Sequence, residues 1–253
     1  MDSNTRRKLI MERLSAGDGV KVAELAEACG HSEMTIRRDL ARLEDTGYLK
    51  VHRGLVLLNN GSSMEVSSSI KAQRATAQKK RIARAAAERV QPGSALYLDC
   101  GTTVKEFAME LGGIRNLMVY TSSLLACNVL CNYKNINLFI LPGHFSEISM
   151  GAYDSSTLTM LQRLRFDMAV LGAEAVDPRA GFMVPEDDDC SCKRVVIANS
   201  RETLVLADSS KLFMSSRCVY ALPGEIDLFI TDNRCTEEAK DAFSKERVQM
   251  LTV

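Results

Sequence analysis

Apolar positions in the first 58 residues recur three times at helical spacing and then give way to short continuous runs. Leu9, Ile10 and Leu14 mark one amphipathic helix, and Val22, Leu25, Ala26 and Cys29 mark a second. Ile36, Leu40 and Leu43 stand at i, i+4 and i+7 of a third, so one face of that helix must be buried. Gly30 suits the stop of the second helix and Ser32 the N-cap of the third. Tyr48–Val51 and Leu55–Leu58 then read as two strands around a His52-Arg53-Gly54 turn. Helix, helix, tight turn, helix and basic hairpin is the order of a winged helix-turn-helix.

Asn59-Asn60-Gly61-Ser62-Ser63 and Ser67-Ser68-Ser69 are polar and small, as in a linker. The expected division is therefore 1–58 for the head, 59–73 for the linker and 74–253 for the body. The body opens with a helix over Thr76–Val90, with Ile82, Ala85, Ala86 and Val90 inward, stopped by Gln91-Pro92-Gly93. Apolar runs then alternate with helical patterns: Ala95–Leu98, Leu117–Tyr120, Ile136–Leu141, Met168–Leu171, Thr203–Leu206, Leu228–Ile230 and Gln249–Val253. Near-continuous apolar strands separated by helices are buried on both faces, which predicts a mostly parallel α/β sheet.

The third helix carries chemistry on its outward side. Met34, Arg38, Ala41 and Arg42 lie opposite the apolar stripe, with Thr35 and Arg37 beside them. Arginine can pair with guanine in a major groove and threonine can meet a thymine methyl. A bare Arg-Arg pair is also a common solvated surface, and a three-helix structural knot is the alternative for the segment. The order of elements around the pair favours the DNA reading. Met34, Thr35 and Arg38 are assigned to bases; Arg37, Lys50, His52 and Arg53 are assigned to phosphates, with Ser32 and Arg42 on the same surface.

In open parallel sheets, ligands bind beyond the carboxyl ends of the strands. Asp99-Cys100-Gly101-Thr102-Thr103 passes from a strand through glycine into a helix start, where free N–H groups and hydroxyls could cradle an anion. A plain turn with threonine caps explains the same residues. Thr121-Ser122-Ser123, Pro142-Gly143-His144, Gly172-Ala173-Glu174 and Asp208-Ser209-Ser210-Lys211 follow later strands, and together the five loops make a polar rim. Lys211 alone would pass for a surface lysine.

Of the 253 residues, 46% are apolar, sufficient for a sizeable core, and the formal net charge is zero. The charge is unevenly spread. Residues 1–89 hold 17 Lys+Arg against 11 Asp+Glu, and 90–253 hold 15 against 21. Most of the excess sits in Lys71, Arg74, Lys79, Lys80, Arg81, Arg84 and Arg89, read as a solvated helix face that could also draw the chain towards DNA. Eight cysteines at helix and strand positions read as reduced apolar fillers. With only three histidines and Cys190-Ser191-Cys192 as the one close pair, no metal site is expected. No apolar stretch approaches 18 residues and the polar, basic start is unlike a signal peptide, so a cytoplasmic protein without membrane contact is expected.

Ser32-Glu33-Met34-Thr35-Ile36-Arg37-Arg38-Asp39-Leu40, Leu43-Glu44, Gly47, Leu49 and His52-Arg53-Gly54 resemble the head of the DeoR-type bacterial transcription regulators. Gln78–Ala83, Asp99–Thr103, Gly172-Ala173, Gly181-Phe182, Lys193-Arg194 and Leu206–Lys211 resemble the sensor domain of the same family, similar to ribose-5-phosphate isomerase and CoA-transferase folds. The resemblance implies double-stranded operator DNA and a phosphorylated sugar or related metabolite as partners, a homo-oligomer, no cofactor and no catalytic residue. By matching position Asp99, Gly101, Thr102 and Thr103 would line a phosphate loop, Thr121, Ser123 and Gly143 further loops, with Lys193 and Lys211 as cations. The chain departs from the family pattern at Arg53, Leu55, Ser122, Pro142, Ser146, Asp189 and Cys190. An isomerase using Glu174 as a lone base is the alternative enzyme reading, and a non-sensing DNA-binding oligomer is the other.

Overall fold

The computed structural model describes residues 3–14, 19–45, 49–52, 54–58, 68–72 and 75–253. They fall into two compact units, 1–66 and 67–253.

The first unit runs α1 (Ser3–Leu14), β1 (Val20–Lys21), α2 (Val22–Cys29), α3 (Glu33–Asp45), β2 (Leu49–His52) and β3 (Leu55–Leu58). Ile10, Leu14, Val22, Leu25, Ile36 and Leu40 form its buried centre, so the apolar stripes of all three helices converge as their spacing requires. Gly30 adopts the left-handed conformation at φ 63°, and the N–H groups of Gly30 and His31 close α2 on the carbonyls of Glu27 and Ala26. The sheet order is β1-β3-β2, antiparallel throughout. Strand β1 is not legible in the sequence because two residues are too few for any alternation; it exists because Val20 pairs with Val56. Asp39 is buried and bonded to Arg6, with Arg7 at 3.8 Å, which ties α3 to α1. Tyr48 and Arg53 lie outside the described residues, as do 59–67 and 73 of the expected linker. Within that interval Ser68–Lys71 forms a short helix, α4, whose Ser68 donates N–H and hydroxyl to the Ile148 carbonyl at 3.0 and 2.8 Å.

The second unit continues with α5 (Thr76–Ala87), β4 (Ala95–Leu98), α6 (Thr102–Glu110), β5 (Leu117–Thr121), α7 (Leu124–Leu130) and β6 (Ile136–Ile140). Next come β7 (His144–Ser146), β8 (Gly151–Tyr153), α8 (Ser155–Leu161), β9 (Phe166–Gly172), β10 (Ala175–Asp177), β11 (Gly181–Val184) and α9 (Asp187–Ala198). β12 (Ser200–Leu206), β13 (Cys218–Ala221), β14 (Leu228–Thr231), α10 (Glu237–Lys245) and β15 (Met250–Thr252) complete the chain. Seven strands make one parallel sheet in the order β15-β14-β12-β9-β4-β5-β6.

Successive side chains of each central strand enter opposite cores. Leu96, Leu98, Met168 and Val170 pack with Ile82, Val104, Phe107 and Leu130, whereas Tyr97, Ala169, Leu171 and Phe229 pack with Leu161, Val196, Phe182 and Phe243. This double burial is why the strands read as unbroken apolar runs. Two additions escape the pattern: the β7–β8 hairpin and the antiparallel sheet β10-β11-β13. Gly181 opens β11 at φ 96°, and a Cβ there would stand 2.2 Å from the Ala221 carbonyl oxygen, so β11 and β13 approach only across a glycine.

The sheet grows outward from β4 in one direction and from β9 in the other. Their shared border is the topological switch point, the place beyond whose strand ends open parallel sheets bind ligands.

Candidate functional site

Helix α3 presents the face its spacing predicts. Ser32, Arg37, Arg38, Ala41 and Arg42 are exposed, Thr35 is half-buried, and Met34 is 70% exposed. A methionine so open is no part of the core. The Ser32 hydroxyl meets the Thr35 hydroxyl at 3.1 Å, and the Ser32 carbonyl accepts from Thr35 and Ile36 N–H, so the first turn is ordered from within. Arg37 reaches Glu33 at 3.4 Å, an exposed pair that DNA phosphate could replace. Glu44 accepts the Val51 N–H at 3.0 Å and thereby pins β2 to the end of α3. Lys50 and His52 stand on β2, and Gly54 turns the hairpin at φ 80°. Arg53 falls outside the described residues.

At the switch point the rim is built largely around charge buried in the protein. Asp99 is 1% exposed; its Oδ2 accepts the Gly172 N–H at 2.7 Å and bonds the Lys193 ammonium. Lys193 is also within 3.3 Å of Asp189 and lies 5.4 Å from the Tyr220 ring centre. Burial opposes the ammonium charge, but Asp189 and Asp99 outweigh it and hold the Lys193 pKa above its ordinary value. Lys193 is therefore an internal counter-ion joining the ends of β4, β9 and α9, not an open cation. The other Asp99 oxygen, the Tyr97 hydroxyl and the Ser122 hydroxyl are buried with no hydrogen-bond partner among the described residues.

Gly101 stands at φ 136° before α6, whose first turn holds Thr102 and Thr103, both largely buried. The first N–H groups of a helix have no partner within it, so this turn offers donors towards the crevice. The second loop differs from expectation. Thr121 donates to the Leu98 carbonyl at 2.7 Å and accepts from Ser123 N–H at 3.0 Å, and the Ser123 hydroxyl caps α7 by accepting from Ala126 N–H. These hydroxyls hold the loop; Ser122 between them keeps the unused one. Gly143 has φ 151°, and a Cβ there would meet the Thr157 hydroxyl at 2.6 Å and the Ala152 backbone at 2.7 Å. That glycine serves close packing on β8.

Lys211 bonds Glu174 Oε1 at 2.8 Å, and Lys71 of α4 reaches Oε2 at 2.6 Å. Burial raises the Glu174 carboxyl, but the two ammonium groups outweigh it and hold its pKa below normal. Lys79 corrects the expectation of a solvated basic face: it is 4% exposed, and its ammonium bonds the Lys71 carbonyl. Burial pushes its pKa down to about 8. Asp208 and Asp232 shape the 208–211 loop by accepting from Ser210 and Ser209 N–H. Lys71, Lys79 and Tyr97 are residues beside the rim that pattern reasoning missed, whereas Ser122 stood in the expected second loop without an assigned role. Lys71 lay in the expected linker, and Lys79 stood in a run of exposed basic residues.

Among the described residues no group of three or more His, Cys, Asp or Glu could hold a metal, and no helix is long and apolar enough to cross a membrane.

Comparison with known proteins agrees with both halves. A family model described as the DeoR-like helix-turn-helix domain matches residues 6–61, and one described as the DeoR C terminal sensor domain matches 74–233. The chain is 32% identical over 247 residues to the uncharacterized HTH-type transcriptional regulator YgbI of Escherichia coli (strain K12), covering 97% of this chain and 96% of that one. It is 28% identical over 232 residues to the glycerol-3-phosphate regulon repressor of the same organism, covering 92% of each. A D-ribose-5-phosphate isomerase solved with phospho-erythronic acid aligns with 54% of each chain at 19% identity and a TM-score of 0.41.

Proposed function

The chain belongs to the DeoR family of DNA-binding transcriptional regulators, and from that premise we propose that it represses a sugar or carbohydrate catabolism operon and is released by a phosphorylated sugar-type effector. The observation that carries the DNA half is the outward face of α3, where Met34 and Arg38 stand clear of the core beside exposed Arg37 and Arg42 and half-buried Thr35. Met34, Thr35 and Arg38 read bases, while Ser32, Arg37, Arg42, Lys50, His52 and Arg53 supply the surrounding contacts. The tasks divide as 1–58 for reading, 59–73 for connection and 74–253 for sensing. The working protein is a cytoplasmic homo-oligomer whose paired heads meet repeated half-sites.

The effector half rests on the switch-point crevice. Backbone donors at Gly101, Thr102 and Thr103 face an anion, with Lys211 as the cation at the rim. Thr121, Ser123, Gly143 and Lys193 act through the shape of the loops they hold. Asp99 keeps one buried oxygen for a hydroxyl of the ligand. The chain is a regulator rather than an enzyme, and its one candidate base agrees: Glu174 is held ionised between two lysines, the opposite of a carboxylate tuned towards neutrality.

The test is binding of the full chain to DNA from upstream of its own coding sequence at low ionic strength, with and without a panel of sugar phosphates. Sequence-selective binding weakened by one of them is the expected result. Indifference to that DNA under every condition would overturn the reading.

A further inference from the structure

Residues 116–162 hold β5, α7, β6, the β7–β8 hairpin and α8. Their only charged side chains are Lys134, Glu147 and Asp154, whereas 25% of the whole chain is charged. The stretch also ends the parallel sheet, with β6 as its last strand. Parallel sheets are ordinarily covered on both faces. One face here obeys: Leu117 and Val119 are buried with Phe107, Ala126 and Leu130 of α6 and α7. On the other face Met118 and Phe139 are exposed, and Phe139 stacks on half-buried Tyr120 at 4.5 Å. Ile140, at the end of β6, is 67% exposed.

The backbone of β6 is open as well. Leu141 donates its N–H to the Thr121 carbonyl on β5, and alternation along the strand then turns the N–H and C=O of Leu138 and Ile140 away from β5. Sheets that stay single protect such an edge with a charge, a proline, a bulge or a very short strand. The opposite edge, β15, is three residues long. Strand β6 has five residues, none of them charged or proline, in unbroken register with β5.

We propose that two copies of the chain pair through β6, antiparallel about a two-fold axis, so that their seven-stranded sheets join. The inference rests on the homo-oligomer reading above and adds the surface. An open strand edge calls for another strand, and under a two-fold axis one edge serves both partners. Charge fixes the direction. Lys134 precedes β6, and exposed Arg163 and Arg165 precede β9, all at the N-terminal end of the strands. Glu147 and Asp154 lie at the other end, where the Ala152 N–H bonds the Ser122 carbonyl just beyond β5. Antiparallel pairing sets the basic end of each copy against the acidic end of the other, whereas parallel pairing would set like against like.

The experiment is sedimentation velocity of the full chain over a concentration series, with amide exchange at Leu138. Ile140→Asp places one carboxylate on each side of the seam and raises the dissociation constant at least about a hundredfold. Leu251→Asp, at the β15 edge, changes it less than about threefold. The Leu138 amide exchanges at least about tenfold faster in Ile140→Asp, with 166–172 unchanged as the control for folding. Lys134→Glu weakens association about threefold to tenfold, and adding Glu147→Lys restores it. Association that survives Ile140→Asp, or falls equally with Leu251→Asp, overturns the proposal and leaves the homo-oligomer reading standing. A Leu138 amide still protected in a monomeric Ile140→Asp protein also overturns it, because the edge is then covered from within the chain. Failure of Glu147→Lys to restore Lys134→Glu refutes the antiparallel arrangement. Wild-type protein that stays monomeric throughout ends the homo-oligomer reading and this one with it.

Discussion

Two lysines of the sensing unit show how differently burial can be met. Lys193 is enclosed with Asp99 and Asp189, so its charge is compensated on both sides. Lys193→Met would leave those carboxylates buried without their cation, and breaking such a pair costs about 3–5 kcal/mol. Urea unfolding should show that loss, and Asp99→Asn combined with Lys193→Met should recover part of it because the uncompensated Asp99 charge is gone. Lys79 has less compensation, and its pKa falls from 10.5 to about 8. Between those values the unfolded chain holds more protons than the folded one, so native stability rises with pH. Relative to Lys79→Met, wild-type protein should gain about 2–3 kcal/mol from pH 8 to pH 10.5. The comparison removes the opposing titration of buried thiols, whose raised pKa values are common to both proteins. A flat difference across that window would mean that Lys79 is solvated.

At the scale of elements, the proposed reading divides the labour of α3 between neighbouring arginines. Arg38 projects from the middle of the outward face, whereas Arg37 leans towards Glu33 at the flank. Arg38→Ala should therefore relax base preference, at a cost of about 1–3 kcal/mol on the preferred sequence alone. Arg37→Ala should weaken all DNA alike and lower the salt slope by about 1. Fluorescence anisotropy on cognate and scrambled duplexes over a salt series separates the two, and identical behaviour would refute the division. This helix was legible because Ile36, Leu40 and Leu43 fix its rotation, and the strand Ala95–Leu98 because both its faces are buried. The strands β10, β11 and β13 were not, since β10 is only three residues long and β11 finds its other partner, β13, far along the chain. Rim chemistry divides the same way. Gly101, Thr102 and Thr103 announce a strand-to-helix turn locally, but nothing local says that Thr121 will bond Leu98, or that Lys71 will cross the chain to Glu174. Hydroxyl and ammonium positions depend on tertiary neighbours, which residue order does not reveal.

For the whole molecule, the uneven charge matters more than its zero sum. Residues 90–253 carry a net −6, so DNA phosphates repel that part and attract the basic part before it. Electrostatics of this kind guides approach but is largely screened beyond about 8 Å at physiological salt, so it cannot supply selectivity. The reading surface is also small, a few side chains on one 13-residue helix. A single head of this size gains its useful affinity only when a second is tethered beside it, because the second contact is then intramolecular. The full chain should accordingly bind DNA carrying both halves of its protected site about a hundredfold or more tightly than DNA with one half scrambled. Inserting half a helical turn, about 5 base pairs, between the halves should cost nearly as much, since the heads would then face opposite sides of the duplex. Equal affinity for single and paired half-sites would mean that the heads act alone. The sensing unit would then have no paired arrangement to disturb, and its control of DNA would have to pass within one chain, through the segment that leads from α4 to the head.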